Sequence, residues 1–228
     1  MVIYQKALDY NKLLNDQAQG KLLKKYLKYP LFAGIKYDGN LVVVVVDPDS
    51  STTFITSGGH IYTNDYSTVF EKYPPGVYTA ERIGTNGKLG DRVNCNLRGP
   101  RGSQVSYGHT YKVHDMVSYE EYTEGISMDT YGARRERLRS IAGKEWVTDR
   151  VINTREELEQ YLDAVVAMGY EGIMIKDPNW FWERTKSRRI DMVKYKRRPT
   201  ADLYCTGVTE GEGKYEDMIG ALQLGLSG

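Results

Sequence analysis

Apolar residues alternate with polar ones, or run without interruption, along much of the chain, a pattern typical of β-strands. The segment LFAGIKYDGNLVVVVVDPD predicts a strand, a hairpin turn at Asp38-Gly39 and a second strand, because Asp-Gly favours two-residue turns. The five valines from Val42 to Val46 predict a strand that is buried on both faces. FITSGGHIY predicts a further hairpin with Gly58-Gly59 at its turn.

Helical spacing of apolar residues occurs in two segments. Residues 5–28 predict one or two helices that are interrupted near Gly20 and end before Pro30. The clearest helix begins at Thr154, where Glu157 completes a capping box, and it ends at Gly169. Strands are predicted for PPGVYTAERIG and HTYKVHDMVS, in one antiparallel sheet, and for EGIMIKDP and DMVKYKR. The predicted fold class is therefore α+β.

A domain boundary is predicted close to Pro199. Residues 1–198 form the first predicted domain, and residues 199–228 are predicted to be a linker followed by the start of a new strand-rich unit. A segment of this length is too short to close a barrel, so we expect the chain to be truncated at this end.

Length and composition exclude several classes of protein. The 228 residues carry a formal net charge of +1, and no apolar run approaches the roughly 18 residues of a spanning helix, so we expect no membrane association. The start MVIYQKALDY lacks a secretory signal, which predicts a cytoplasmic protein, in the host cell if the source is viral. Two cysteines and three histidines exclude a disulfide scaffold and a CxxC-type zinc site.

The balanced total charge conceals three basic clusters. Residues 1–30 have a local charge of +4, and residues 182–200 have a local charge of +6. The third cluster, in YGARRERLRS, consists of Arg134, Arg135, Arg137 and Arg139. Each cluster alone is compatible with a solvated helix face, but together they favour a protein that holds a polyanion on one face.

The candidate chemistry lies at the ends of predicted strands. Lys36 precedes a tight turn, so it is either a surface lysine of a hairpin or, if deprotonated, a nucleophile. Glu81 and Glu171 lie on or beside strands, and carboxylates opposite a lysine suit Mg²⁺ bound to a triphosphate. Lys194 and Lys196 point the same way from one strand, where their mutual repulsion favours a phosphate between them.

An ordered set of motifs carries a family resemblance. KYDG, TAERI, YKVHDMV, EGIMIKDP and MVKYKRR, within residues 36–198, resemble the nucleotidyltransferase motifs of ATP-dependent DNA ligases, especially small phage-type ones. The resemblance implies an antiparallel-sheet, ATP-grasp-like adenylation domain. GVTEGEGKYEDMIGALQL is similar to the opening strands of the OB-fold that follows in that family. The family has a further basic motif after that fold, so we expect this chain to self-adenylate poorly.

The resemblance also implies roles for individual residues. Lys36 would attack the α-phosphorus of ATP to form lysyl-AMP, and Lys194 and Lys196 would bind the α-phosphate. The implied nucleotide-binding residues are Ile35, Lys36, Asp38, Gly39, Glu81, His114, Glu171, Lys194 and Lys196, of which Asp38, Glu81 and Glu171 would also approach Mg²⁺. His114 would stack on adenine.

The implied partner is nicked duplex DNA, sealed by a protein that is expected to be a monomer. The implied contacts to DNA are Arg184, Lys186, Arg188, Arg189, Arg197 and Arg198. The chain departs from the family at Gly34, where an acidic residue is common, and at Leu41, where DNA ligases have arginine. KYDGNL without a following arginine is closer to RNA ligases, so an RNA-repair ligase and a non-catalytic nucleic-acid-binding relative stay as alternatives.

Overall fold

The computed structural model describes residues 5–15, 27–61, 68–84, 86–90, 110–185, 188–197 and 203–225, without the side chains of residues 14, 15, 188 and 189. The chain divides into two compact units, Met1–Arg197 and Arg198–Gly228. The adenylation and OB-fold assignments of the two predicted domains stay predictions.

The first unit contains eleven strands and four α-helices within the described residues. The strands are β1 (Lys6–Asp9), β2 (Leu31–Lys36), β3 (Asn40–Val46), β4 (Thr52–Thr56), β5 (Gly76–Ile83), β6 (Thr110–Ser118), β7 (Ile126–Thr130), β8 (Asp149–Ile152), β9 (Gly172–Lys176), β10 (Phe181–Glu183) and β11 (Arg188–Tyr195). The helices are α1 (Tyr10–Asn15), α2 (Tyr119–Glu124), α3 (Tyr131–Ala142) and α4 (Arg155–Ala167). The predicted α+β class is confirmed.

A five-stranded sheet has the order β1-β11-β9-β2-β8 and is antiparallel except for the parallel pair of β1 and β11. Helix α4 covers one of its faces because Leu158, Leu162 and Val165 recur at helical spacing. These side chains pack in one core cluster with Ala33 of β2 and Ile175 of β9. The opposite face of the sheet is therefore left for other contacts.

A four-stranded antiparallel sheet has the order β4-β3-β5-β6. Val42, Val44 and Val46 point to a core that includes Leu138 of α3. Val43 points to the other face, where a third core cluster joins this sheet to Met192 of the five-stranded sheet. The prediction that the valine-rich strand is buried on both faces is confirmed.

The predicted hairpin at Asp38-Gly39 is wrong. β2 pairs with β8 and β9, whereas β3 pairs with β4 and β5, so the two strands belong to different sheets. Because both edges of each strand are already paired, Lys36–Asn40 crosses from one sheet to the other. The crossover places Lys36 at the seam between the two sheets. The predicted turn at Gly58-Gly59 is present, with the Thr56 N–H donating to the carbonyl of His60 at 2.8 Å.

Two local predictions need correction. The chain begins with strand β1 before the short helix α1, because residues 6–9 add to the edge of β11, and the predicted helical residues 16–26 lie outside the described part. Thr154 caps α4 as predicted, accepting from the N–H of Glu157 at 3.2 Å. Glu157, however, accepts from the N–H of Asn153 at 2.8 Å, one residue before the position required in a capping box.

The second unit contains the antiparallel strands β12 (Tyr204–Glu210) and β13 (Ile219–Gly225). They agree with the strand-rich segment predicted after Pro199. Among the residues described in both units, no helix is long and apolar enough to cross a membrane.

Candidate active site

A cavity of the first unit has a volume of about 570 Å³ and is lined from both sheets. This size is typical of a small-molecule site. Every nucleotide-binding residue predicted from the sequence lines it, namely Ile35, Lys36, Asp38, Gly39, Glu81, His114, Glu171, Lys194 and Lys196. The backbone of Ile35 borders the cavity in β2, while its side chain packs against the core beneath α4. Residues far apart in the sequence thus meet at one place.

One carboxylate holds two ammonium groups at the crossover end of the cavity. Glu171 Oε2 accepts a hydrogen bond from Lys36 Nζ, and Glu171 Oε1 accepts one from Lys196 Nζ. The Glu171 side chain is only 15% exposed, so the pairs are poorly screened by solvent. Lys194 lines the same cavity without an ion pair to any described residue. This end of the cavity is therefore suited to anions.

A glycine permits this arrangement. Gly172 follows Glu171 as the first residue of the strand β9, and it has φ +151°. A Cβ atom at Gly172 would lie 2.3 Å from the carbonyl oxygen of Tyr195 and 3.0 Å from Cα of Lys196. Only glycine therefore allows the Lys196 backbone to approach the Glu171 segment so closely.

Replacing Gly172 with alanine is expected to destabilise the protein by about 2 kcal/mol, because the new methyl group must displace β11. Urea unfolding measures the change. Gly132→Ala is the matched control, because its new Cβ would lie no closer than 3.4 Å to any atom outside its own helix backbone and chain neighbours. Equal unfolding midpoints for the two variants would contradict this reading of Gly172.

The other two predicted metal ligands, Glu81 and Asp38, accept hydrogen bonds from backbone N–H groups. Glu81 Oε1 accepts from the N–H of Gly39 at 3.1 Å, and Asp38 Oδ2 accepts from the N–H of Gly90 at 2.8 Å. The Asp38 N–H donates to the carbonyl of Gly87 at 2.9 Å. Residues 86–90 therefore fix the orientation of Asp38 beside the crossover.

A row of directly paired residues crosses the five-stranded sheet below the cavity. Asp149 of β8 pairs with Gly34 of β2, Gly34 pairs with Met174 of β9, and Met174 pairs with Lys194 of β11. Paired residues share one face of a sheet, and all four line the cavity. We call these four residues the central row. It has a carboxylate at one end, an ammonium group at the other, and a glycine and a thioether between them.

His114 reaches the cavity through a β-bulge. Thr79 pairs with Asp115 and Ala80 pairs with Val113, so His114 is an extra residue in β6. A bulge redirects a side chain and frees its backbone from the ladder, and the carbonyl of His114 accepts from Lys176 Nζ at 2.6 Å. Burial and the nearby Lys176 ammonium lower the pKa of His114 to about 3, so the imidazole is neutral near pH 7.

Three residues that the sequence analysis missed, Lys176, Tyr131 and Asp149, form a hydrogen-bonded chain with Arg135 at the end of the cavity opposite Lys194. Lys176 Nζ donates to the Tyr131 hydroxyl at 2.8 Å, which donates to Asp149 Oδ2 at 3.0 Å. Asp149 Oδ1 accepts from Arg135 Nε. Burial, then Asp149, raise the pKa of Tyr131 well above its ordinary value, so its hydroxyl stays protonated. Burial lowers the pKa of Lys176 to about 8. In the strand EGIMIKDP, residues two apart share a face, so Lys176 is expected on the same face as Met174. This alternation was the sequence signal from which Lys176 could have been predicted.

The expectation that the YGARRERLRS arginines bind phosphate is wrong for its two most buried members. Arg134 is completely buried and forms a bidentate pair with Asp115 at 3.0 and 3.1 Å. Arg135 is paired with Asp149 and its guanidinium lies 4.5 Å from the ring centre of Phe32. Removing one member of either pair would leave the other charge without compensation, so we expect loss of Arg134 or Arg135 to destabilise the first unit.

The basic residues predicted to contact DNA are only partly within the described residues. The Arg184 guanidinium lies 5.6 Å from the ring centre of Tyr122. Arg197 pairs with Asp163 at 2.8 Å and with Glu159 at 3.0 Å. Lys186 and Arg198 lie outside the described residues, as do the side chains of Arg188 and Arg189 on β11.

The carboxylates that the structure describes around the cavity do not form a preassembled metal cluster. Within the described ranges, no group of three or more Asp, Glu, His or Cys side chains is arranged to hold a metal ion. Mg²⁺ commonly binds through one or two carboxylates together with substrate phosphates and water. Asp38, Glu81 and Glu171 border the same cavity and fit that kind of shared site better than an all-protein cage.

Comparison with known proteins agrees with this geometry. The family model described as the ATP dependent DNA ligase domain matches residues 103–196. The resemblance to ATP-dependent DNA ligases is confirmed. The matched segment contains the His114 bulge, the Glu171 strand and the Lys194–Lys196 pair, which are three walls of the cavity.

Individual relatives give the same result. DNA ligase 2 of Korarchaeum cryptofilum (strain OPF8) is 25% identical over 220 residues, which cover 85% of this chain and 36% of that protein. The chain thus spans about a third of the length of this curated relative.

Solved structures show that the fold is shared with DNA ligases. Pmar-Lig_PreS3 has a TM-score of 0.69 at 19% identity, over 97% of this chain and 52% of that one. The ATP-dependent DNA ligase of bacteriophage T7, in complex with ATP, has a TM-score of 0.60 at 16% identity, over 97% and 80%. An archaeal ATP-dependent RNA ligase has a TM-score of 0.54 at 19% identity, over 85% and 48%.

Proposed function

We propose that this chain is the adenylation domain of an ATP-dependent DNA ligase. The observation that carries the proposal is the position of Lys36, at the seam between two sheets and in contact with Glu171, which also holds Lys196. A lysine fixed beside anion-binding groups in a cavity of nucleotide size is suited to covalent catalysis. The DNA ligase family match covers the strands that supply Glu171 and Lys196.

The first proposed step is transfer of AMP to Lys36. The ammonium group loses a proton, for which Glu171 is the contacting acceptor. Lys36 Nζ then forms a bond to the α-phosphorus of ATP, and the bond from that phosphorus to pyrophosphate breaks. Lys194 and Lys196 supply positive charge where the phosphate oxygens lie, and such fixed charge is the main source of rate in phosphoryl-type transfer.

The later steps act on nicked duplex DNA. AMP moves from Lys36 to the 5′-phosphate of the nick, and the adjacent 3′-hydroxyl displaces AMP to join the strands. Mg²⁺, held by phosphates together with Glu171, Glu81 or Asp38, would neutralise charge on the phosphates. The protein's own contribution is to hold Lys36 and the cationic side chains in place.

ATP radiolabelled on the α-phosphate tests the proposal. The protein should retain label after denaturation, in a bond that acid cleaves and alkali does not, as expected for a lysine phosphoramidate. The incubation should run to completion, so that a slow reaction is also detected. The absence of label would contradict the enzyme proposal and favour a non-catalytic nucleic-acid-binding relative.

A salt titration tests the proposed DNA contacts. If Arg184 binds a DNA phosphate, Arg184→Ala should flatten the slope of log K against log salt by roughly 0.9 through reduced counterion release. Glu124→Gln on the exposed end of α2 is a control on the same face of the fold that should leave the slope unchanged or slightly steeper. An identical slope for wild type and Arg184→Ala would remove Arg184 from the interface.

An RNA-repair ligase is the second candidate. Leu41 lines the cavity where DNA ligases have an arginine, and the fold is shared with an archaeal RNA ligase. Nicked duplexes with RNA or DNA on each side of the nick separate the two functions. A strong requirement for RNA at the 3′-hydroxyl side would favour the RNA-repair function.

A further inference from the structure

We propose that Asp149 is a specificity-determining residue, which accepts a hydrogen bond from the exocyclic amino group of adenine and disfavours guanine. The inference rests on the proposed function, because it names the group that selects the base of the nucleotide. The argument starts from the central row, Asp149-Gly34-Met174-Lys194.

The row gives the cavity two chemically different ends. Neighbouring strands lie about 4.8 Å apart, so three steps separate Asp149 from Lys194 by roughly 14 Å. Lys194 lies two residues before Lys196, and Lys196 shares Glu171 with Lys36 at the anion-binding end of the cavity. Phosphates bound there direct the base toward the opposite end of the row, where Asp149 is the carboxylate.

The middle of the row leaves space for a flat ring. Gly34 has no side chain, so backbone bounds the cavity at this point, and a Cβ there would crowd Cβ of Asp149 and Cγ1 of Val147, each at 3.3 Å. Met174, on the other side of Gly34, offers a thioether surface, and His114 supplies a neutral ring from the opposite sheet. A purine above Gly34 would therefore have its edge beside Asp149.

The Asp149 carboxylate is held rigidly. The Tyr131 hydroxyl donates to Oδ2 at 3.0 Å, and Arg135 Nε donates to Oδ1. Arg135 also donates to the backbone carbonyl of Asp149 at 3.2 Å. Each carboxylate oxygen has two acceptor positions, so these bonds leave one position on each oxygen for a donor on the ligand. A fixed acceptor of this kind discriminates better than a mobile one.

The two purines differ at the group that would face this acceptor. Adenine carries an amino donor at C6, whereas guanine carries a carbonyl acceptor there. Guanine in the same pose would place an acceptor against a buried carboxylate, an unpaired arrangement that reduces affinity. The geometry thus favours adenine both by attraction and by repulsion of its competitor.

Calorimetric binding of ATP, GTP and purine riboside 5′-triphosphate, which lacks the amino group, tests the proposal. Wild type should bind ATP about 10-fold to 100-fold more tightly than the riboside analogue, the range for a hydrogen bond to a charged group. In Asp149→Ala this ratio should fall to near one, with weaker discrimination against GTP. The exposed control Asp49→Ala should keep the wild-type ratio.

The outcomes separate this proposal from the proposed function. Equal binding of ATP and the riboside analogue by wild type would overturn the role of Asp149, and this comparison does not depend on the folding of any variant. An unchanged ratio in a folded Asp149→Ala or Asp149→Asn protein would overturn it as well. ATP-dependent labelling of Lys36 in the same sample would show that the proposed function stands. Absence of both ATP binding and label would overturn the two together.

Discussion

Replacing Lys36 with alanine is expected to abolish covalent labelling by ATP, with a loss of roughly 1,000-fold or more, the scale observed when an enzyme nucleophile is removed. Lys36 Nζ is the nitrogen at the seam of the two sheets that contacts Glu171 and borders the cavity. The measurement is the amount of radiolabel retained on denatured protein after incubation with ATP labelled on the α-phosphate.

Lys36→Arg separates charge from nucleophilicity. Arginine keeps a cation beside Glu171, but its guanidinium does not lose its proton in proteins. We therefore expect Lys36→Arg to fold, to bind ATP within about an order of magnitude of wild type, and to accept no label. Lys144→Ala is the matched control, because the Lys144 side chain is 92% exposed. Label that survives in Lys36→Ala would show that another residue is the nucleophile.

Glu171→Gln is expected to reduce labelling by roughly 100-fold, the order of effect produced by removing one electrostatic group from a reaction centre. The substitution keeps the shape of the side chain but removes the negative charge between Lys36 and Lys196. The two ammonium groups then repel each other, and the proton of Lys36 loses its contacting acceptor. The measurement is the rate of labelling at saturating ATP.

The magnesium dependence of the same variant tests the metal role of Glu171. If Glu171 approaches Mg²⁺, the magnesium concentration for half-maximal labelling should rise in Glu171→Gln. Glu124→Gln, at the exposed end of α2, should show the wild-type value. A slow variant with an unchanged magnesium midpoint would leave Glu171 as the partner of the two lysines and remove it from the metal site.

Much of the local structure was predictable because its signals lie within a few residues. The valine run, the strands around Glu81 and Lys194, and the helix that begins at Thr154 all follow from apolar spacing and capping. The family resemblance implied one nucleotide-binding set, and all of its members line the same cavity. The roles of those residues stay predictions.

The relation between the two sheets was not predictable from local signals. Asp-Gly between two apolar runs has the appearance of a hairpin, yet each flanking strand pairs with two other strands. Pairing is decided by long-range packing, which overrides turn propensity. The same reason explains the missed strand β1, whose partner β11 lies about 180 residues later, a separation visible in its pairing of Lys6 with Arg188.

The far end of the cavity was missed because its residues meet only through strand register. Asp149 and Gly34 are far apart in the sequence and come together only because β8 pairs with β2. Arg134 and Arg135 have the same composition signal as surface arginines, and their partners Asp115 and Asp149 are 19 and 14 residues away. Charge alone does not distinguish a solvated arginine from one that neutralises a buried carboxylate.

Because His114 is an extra residue in β6, the chemical nature of this cavity wall and the direction in which its side chain points depend on different features of the sequence. Substitution at His114 changes the chemical nature of the wall but not its direction, which depends on the count of residues between Val113 and Asp115. Deletion of residue 114 would let those two residues continue an ordinary ladder, with no extra side chain to face the cavity. Point mutations can thus retune this wall gradually, whereas a single-codon deletion would remove it.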